Sequence, residues 1–194
     1  MGPERTLAVN MFGLTLDQPV LSIIGGSQGS RALNTAVERA LQPLFSAVSV
    51  QIIWQTGFES YPELKPLESR YPLLRIQPFI DHMGALYSAS DLVVSRAGAL
   101  ALAEITRCGK PAILVPFPGA AAHHQTTNAR MLEQAGAAVI LKEKDLSTAG
   151  FVGLVTELLS NPERLKAMGK ASKTLSVPGA SERIAREILS LVTP

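Results

Sequence analysis

The strongest constraint on this chain is a repeated alternation of short, continuous apolar runs with longer amphipathic stretches. Val20–Ile24 is uninterrupted, rich in isoleucine and valine, and closed by Gly25-Gly26, the pattern of a buried strand. Arg31–Leu44 follows, with Leu33, Val37, Ala40, Leu41 and Leu44 on one face at helical spacing. The unit then recurs. Strands are expected at Val50–Gln55, Leu73–Gln77, Asp91–Ser95, Ala112–Pro116 and Ala137–Leu141. Helices are expected at Asp81–Ser88 (capped by Asp81), Ala99–Cys108 (stopped by Gly109), His124–Ala135 (ended by Gly136), Leu146–Leu159, Pro162–Thr174 and Ser181–Val192. Tyr61–Arg70 holds two prolines and reads as a short, irregular helix. Strands separated by helices pair in parallel through right-handed crossovers. The expected fold class is α/β, a Rossmann-like doubly wound parallel sheet of about six strands. Residues 1–19 read as a linker or a non-native remnant, and 20–194 as one domain.

Composition supports one layered domain and narrows the function. Apolar residues make up 46% of the chain but aromatics only 5%, which suits α/β layers better than an all-β sandwich. A net charge of +2 with no run of Lys and Arg gives no footprint for nucleic acid or a charged membrane surface. A single cysteine, Cys108, excludes an internal disulfide. Met1–Arg5 lacks the basic start and apolar core of a secretion signal, and no apolar stretch has a membrane span's length, so the expectation is a soluble protein.

Four connections carry polar or glycine-rich chemistry. Gly25-Gly26-Ser27-Gln28-Gly29-Ser30 lies between the first strand and its helix, where glycines admit a ligand close to the backbone and the helix start offers N–H groups to an anion. It is neither the G-x-G-x-x-G dinucleotide fingerprint nor a P-loop, and a ligand-free tight turn stays open as a reading. Ser95-Arg96-Ala97-Gly98-Ala99 leads into a helix whose first turn presents the amides of Ala99, Leu100 and Ala101. Glu104 lies about a turn and a half in, and helical side chains lean toward the N-terminus, so its carboxylate reaches the same mouth. There it would accept from two ribose hydroxyls; a glutamate favoured only by the helix dipole is the alternative. Pro116–Asn128 is a long loop into a helix, with Gln125 and Asn128 on one face to meet sugar hydroxyls. His123 and His124 are neighbours with no third ligand near, so no metal is expected. Pro78-Phe79-Ile80-Asp81-His82-Met83 is a weaker candidate, its backbone facing a flat base and Phe79 or Met83 packing on the ring. No nucleophile–base arrangement stands out.

Taken together, Gly25–Gly29, Ser95–Ala99 with Glu104, and His124-Gln125 with Asn128-Ala129 and Gly136-Ala137-Ala138 resemble the C-terminal half of the MurG family, from about Val20 to Ile188. That family transfers N-acetylglucosamine from UDP-GlcNAc to undecaprenyl-diphosphate-linked muramoyl-pentapeptide, with inversion, on a two-domain GT-B fold. The resemblance implies a donor-binding domain in which Ile80 meets uracil through its backbone, flanked by Phe79 and Met83. Glu104 would hold the ribose; Ser27, with Gly26 and Gln28, and the amides of Ala99–Ala101 after Gly98 would hold the diphosphate. Gln125 and Asn128, with His124 beside them, would meet the N-acetylglucosamine. Ala97 and Ala101 stand where many relatives carry hydroxyls, and Ala122-His123 where relatives often carry charge. The resemblance implies no cofactor and no metal, a catalytic base and acceptor site in an N-terminal half that this chain lacks, and therefore a fragment or one subunit, inactive alone. It places the full-length protein in the cytoplasm, peripheral on the inner membrane, with no nucleic-acid partner. A stand-alone subunit of a two-chain lipid-linked transferase and a non-catalytic nucleotide-sugar module are the alternatives. A dehydrogenase domain is disfavoured, because the second strand ends without an acidic residue.

Overall fold

The computed structural model of the chain describes residues 3–120 and 123–192; Ala121 and Ala122 of the expected sugar loop lie outside the described residues. The strands are β1 (Val20–Ile24), β2 (Gln51–Gln55), β3 (Leu74–Gln77), β4 (Leu92–Ser95), β5 (Ala112–Leu114) and β6 (Ala138–Ile140). The helices are α1 (Pro3–Met11), α2 (Arg31–Ala47), α3 (Tyr61–Leu64), α4 (Met83–Ala89), α5 (Ala99–Arg107), α6 (His124–Gln134), α7 (Thr148–Leu159), α8 (Pro162–Thr174) and α9 (Ala180–Val192). One 3-10 turn, Lys65–Ser69, continues α3, and another, Glu143–Asp145, follows β6. The strands form one parallel sheet in the order β3-β2-β1-β4-β5-β6, with Ile23 level with Trp54 on one side and Val94 on the other. The order reverses between β1 and β4, which opens a crevice beyond their carboxyl ends.

Alternation along the strands sorts side chains into two cores. Leu21, Ile23, Leu92 and Val94 pack with Leu33, Val37, Leu41 and Leu44 of α2 and with Phe151, Val155 and Leu158 of α7. Val20, Ile24, Val93 and Leu114 face the other way, toward Val9 of α1, Leu86 and Tyr87 of α4, Ile105 of α5 and Leu132 of α6. Each such fully buried side chain stabilises by about 1.5–3 kcal/mol. The expected one-sided face of the first helix is therefore observed, although α2 runs past Leu44 through Pro43's turn to Ala47, where Val48 N–H still reaches Leu44 carbonyl at 3.0 Å.

Two expectations are corrected. Residues 1–19 are not a bare linker, since α1 buries Ala8 and Val9, Phe12 and Leu14 beyond it are buried too, and this core includes Leu86 and Tyr87 of α4. Arg5 bonds the Ala89 carbonyl at 2.9 Å, and the Gln51 side chain holds the Thr15 amide and carbonyl, each at 2.8 Å. The apolar spacing at 8, 9 and 12 is helical, but a helix of nine residues is too short to be marked out by its periodicity alone. Asp81 does not cap α4 either: the helix starts at Met83, its N-cap is His82, and no side chain bonds its first amides.

Candidate functional site

The C-terminal rim of the sheet is assembled from three connections that hold one another. The β1 loop turns on Gly26 (φ 92°) and Gly29 (φ 77°), conformations that glycine reaches without strain. A Cβ on Gly29 would lie 2.1 Å from the Thr56 carbonyl oxygen, and one on Gly57 2.4 Å from that of Gln28. The β1 and β2 loops are thus pressed backbone to backbone. Gln55, at the end of β2, donates its amide to the Gly26 carbonyl at 3.0 Å and accepts from the Ile80 amide at 3.0 Å. Ser30 caps α2, its hydroxyl accepting from Leu33 N–H at 3.3 Å and from the Arg96 guanidinium at 2.6 Å.

Arg96 is the hub of the second connection. Only 12% of its side chain is exposed, and it also bonds the carbonyls of Val115 (3.2 Å) and Pro116 (3.4 Å), pairs with Glu143, and lies 5.5 Å from the Phe117 ring centre. One guanidinium therefore ties together the loops after β1, β4, β5 and β6. The turn at Gly98 then opens α5 with no side-chain cap, leaving the amides of Ala99, Leu100 and Ala101 without helical acceptors. Glu104, half-buried, accepts from the buried Tyr87 hydroxyl at 3.0 Å. Burial, and then the Glu104 charge, push the Tyr87 phenol well above its ordinary pKa, so it stays a donor.

These connections surround a cavity of about 920 Å³, near the upper size of small-molecule sites. Of the sequence-predicted residues, Gly26, Ser27, Gln28, Phe79, Met83, Gly98, Ala99, Leu100, Ala101, Glu104 and Gln125 line it. Ile80 does not: its side chain is 2% exposed in the core, and its amide is engaged by Gln55. Asn128 does not line it either, its amide reaching the Ala97 carbonyl at 3.4 Å, and His124 is exposed on α6 outside the lining. Gln125 has its carbonyl oxygen turned to the Phe117 amide at 3.0 Å, and its NH₂ makes no hydrogen bond to a described residue. Residues that sequence reasoning missed are Gln55, Tyr87, Arg96, Phe117 and Glu143. Arg96 stood within a quoted motif, and a charged residue in an otherwise uncharged segment was the signal available for it.

The electrostatics divide the cavity. Arg96 is neutralised by Glu143, and Arg31 pairs with Glu59 at the exposed edge. What remains is a set of peptide N–H groups at the start of α5 with no side-chain cap among the described residues, suited to an anion, and one carboxylate, Glu104, suited to paired hydroxyls. Among the described residues no three His, Cys, Asp or Glu side chains gather as a metal site, and no helix is long and apolar enough to cross a membrane.

The family model described as the glycosyltransferase family 28 C-terminal domain matches residues 20–184. Two curated relatives named UDP-N-acetylglucosamine–N-acetylmuramyl-(pentapeptide) pyrophosphoryl-undecaprenol N-acetylglucosamine transferase are similar. The one from Salinibacter ruber is 46% identical, over 93% of this chain and 48% of its own length. The one from Chlorobaculum parvum is 41% identical, over 96% and 51%. The crystal structure of Acinetobacter baumannii MurG superposes with a TM-score of 0.79 at 32% identity, covering 96% of this chain and 53% of that one. The chain thus spans about half the length of the curated relatives it matches.

Proposed function

The chain belongs to the glycosyltransferase family 28 C-terminal domain family, and from that premise we propose that its rim cavity holds the donor, UDP-N-acetylglucosamine. The observation that carries this reading is convergence: the glycine loop after β1, the uncapped amides of α5, Glu104 and Gln125 all border one cavity. The diphosphate would sit at the α5 amides and beside Ser27, where a helix start and fixed dipoles favour negative charge. Glu104, oriented by Tyr87, would accept from the ribose hydroxyls. Phe79 and Met83 would pack on the uracil; the Ile80 amide is already taken by Gln55, so the base would be met by their side chains rather than by that donor. The NH₂ of Gln125 would meet the sugar.

The proposed reaction is inverting transfer of N-acetylglucosamine to the 4-hydroxyl of an undecaprenyl-diphosphate-linked muramoyl-pentapeptide; the relatives' names give the donor and the lipid-linked acceptor for them, and the inversion and the hydroxyl are part of the proposal. The acceptor oxygen attacks the anomeric carbon, the bond from that carbon to the β-phosphate oxygen breaks, and UDP leaves. Peptide dipoles already aimed at the diphosphate would stabilise the charge that grows on it as the bond opens. The acceptor, the base that takes its proton, and a peripheral seat on the cytoplasmic face of the membrane are assigned to a second half, of the size that the longer relatives allow. Gln55 argues against a dinucleotide site, because the end of β2, where an acid would take a ribose, is occupied by an amide serving two backbone groups.

Calorimetry on the 194-residue chain tests the reading. UDP and UDP-N-acetylglucosamine are expected to bind, equally with and without EDTA, and NAD is expected not to. Absence of UDP binding, or tight binding of NAD, would overturn it.

A further inference from the structure

The opposite, N-terminal rim of the sheet carries a second cavity of about 550 Å³, between the starts of β4 and β5, the end of α5 and one side of α8. Arg5, Lys110, Lys166, Lys170 and Lys173 line it, with Asp91 as the one carboxylate in the lining. The lining therefore carries an excess of four positive charges, while the whole chain carries only +2, so the remainder of the molecule is net acidic. Arg5 is satisfied by Asp91 at 2.6 Å, but Lys110 is half-buried with the Ser90 carbonyl as its acceptor at 2.8 Å, and Lys173 reaches the Arg107 carbonyl. Lys166 and Lys170, one turn apart on α8, hold no ion pair with any described residue. The approach of α8 is close: a Cβ on Gly169 would lie 2.8 Å from the Gly109 carbonyl oxygen, which brings the lysine face up to the rim.

We propose that this basic cavity is a binding site for a multivalent, phosphate-bearing anion, apart from the donor cavity. A single carboxylate would offset only a quarter of the excess charge, whereas a diphosphate, or the two phosphates of a cardiolipin headgroup, brings more than one negative charge to the same space. Ammonium groups bind phosphate as movable point charges, and Lys110, Lys166, Lys170 and Lys173 all line the same space. Burial also holds the Lys110 pKa below that of a free lysine, a shift that a bound anion would offset.

The test is titration of the 194-residue chain with inorganic pyrophosphate while UDP is held in excess, alongside sedimentation with phosphatidylcholine vesicles, with and without cardiolipin, whose headgroup carries two phosphates. Pyrophosphate is expected to bind, weakening as salt rises, and the exposed pair Lys166→Glu with Lys170→Glu is expected to lower that affinity by about tenfold or more, at unchanged UDP affinity and melting temperature. Co-sedimentation with the anionic vesicles that the paired substitution abolishes would identify a headgroup as the source. Pyrophosphate binding without co-sedimentation would identify a soluble phosphate. Pyrophosphate that does not bind beside UDP, or binds equally to the substituted chain, would overturn the site; failure of UDP itself to bind would count against the donor reading instead.

Discussion

The two rims of one sheet each carry a cavity, and they differ in how charge is arranged around it. At the C-terminal rim, charge is cancelled locally: Arg96 is paired with Glu143, and attraction for an anion is left to backbone amides at the start of α5. At the N-terminal rim Asp91 pairs with Arg5 while four lysines exceed the acidic lining, and the backbone contributes carbonyls from Ser90 and Arg107 that accept from lysines. Amides fixed in a helix give direction and close fit, while ammonium groups on flexible stems give long-range attraction that salt screens. The contrast teaches that a net charge near zero hides two electrostatically different ends.

The largest effect that would break the contrast is steric and confined to the C-terminal rim. Gly29→Ala is expected to cost about 3 kcal/mol or more, because it combines a positive φ with a Cβ driven into the Thr56 carbonyl. A urea melt reads this loss, and a stability within about 1 kcal/mol of the parent would show that the loop is not clamped. Next comes Glu104→Ala, expected to weaken UDP binding by about 1.5–3 kcal/mol, as for a charged hydrogen-bond partner, and measured by calorimetry. Tyr87→Phe sharpens the same point. It should weaken UDP binding by about 0.5–1.5 kcal/mol while leaving the binding of a 2′-deoxy analogue nearly unchanged, if the hydroxyl acts by aiming Glu104. The same substitution has a pH signature. The folded-state pKa of Tyr87 is raised, so its contribution to stability is whole below about pH 10 and fades as pH rises beyond it, when only the unfolded chain releases the proton. Melts of the Phe variant should lose that alkaline decline. The smallest effect is a near-absence: adding salt should weaken UDP binding far less than pyrophosphate binding, because amides rather than free cations face the donor.

Much of the C-terminal rim was legible because its signals are local. Gly25-Gly26 ends a β-branched run, Gly98 precedes an uncharged helix, and the backward lean of helical side chains brings Glu104 to the mouth. What escaped were long-range pairings. Tyr87 lies 17 residues from Glu104, and Arg96 lies 47 from Glu143, so no window of sequence displays either pair. Ile80 is a further case: the N–H of the backbone expected to meet the base is, in the fold, bonded to a residue 25 positions away. The basic rim was invisible for a plainer reason. Its cations come from α1, the turn before β5, and one face of α8, and the sequence has no basic run because the fold makes one.

Gln55 has a consequence for how a ligand is judged. One neutral side chain, hydrogen-bonded at both ends of its amide, fixes the separation between the loop expected to face phosphate and the segment expected to face the base. That spacing is set before anything arrives. Recognition along this axis then works as a gauge rather than a glove, and a molecule of the right length meets walls that have little freedom left to lose.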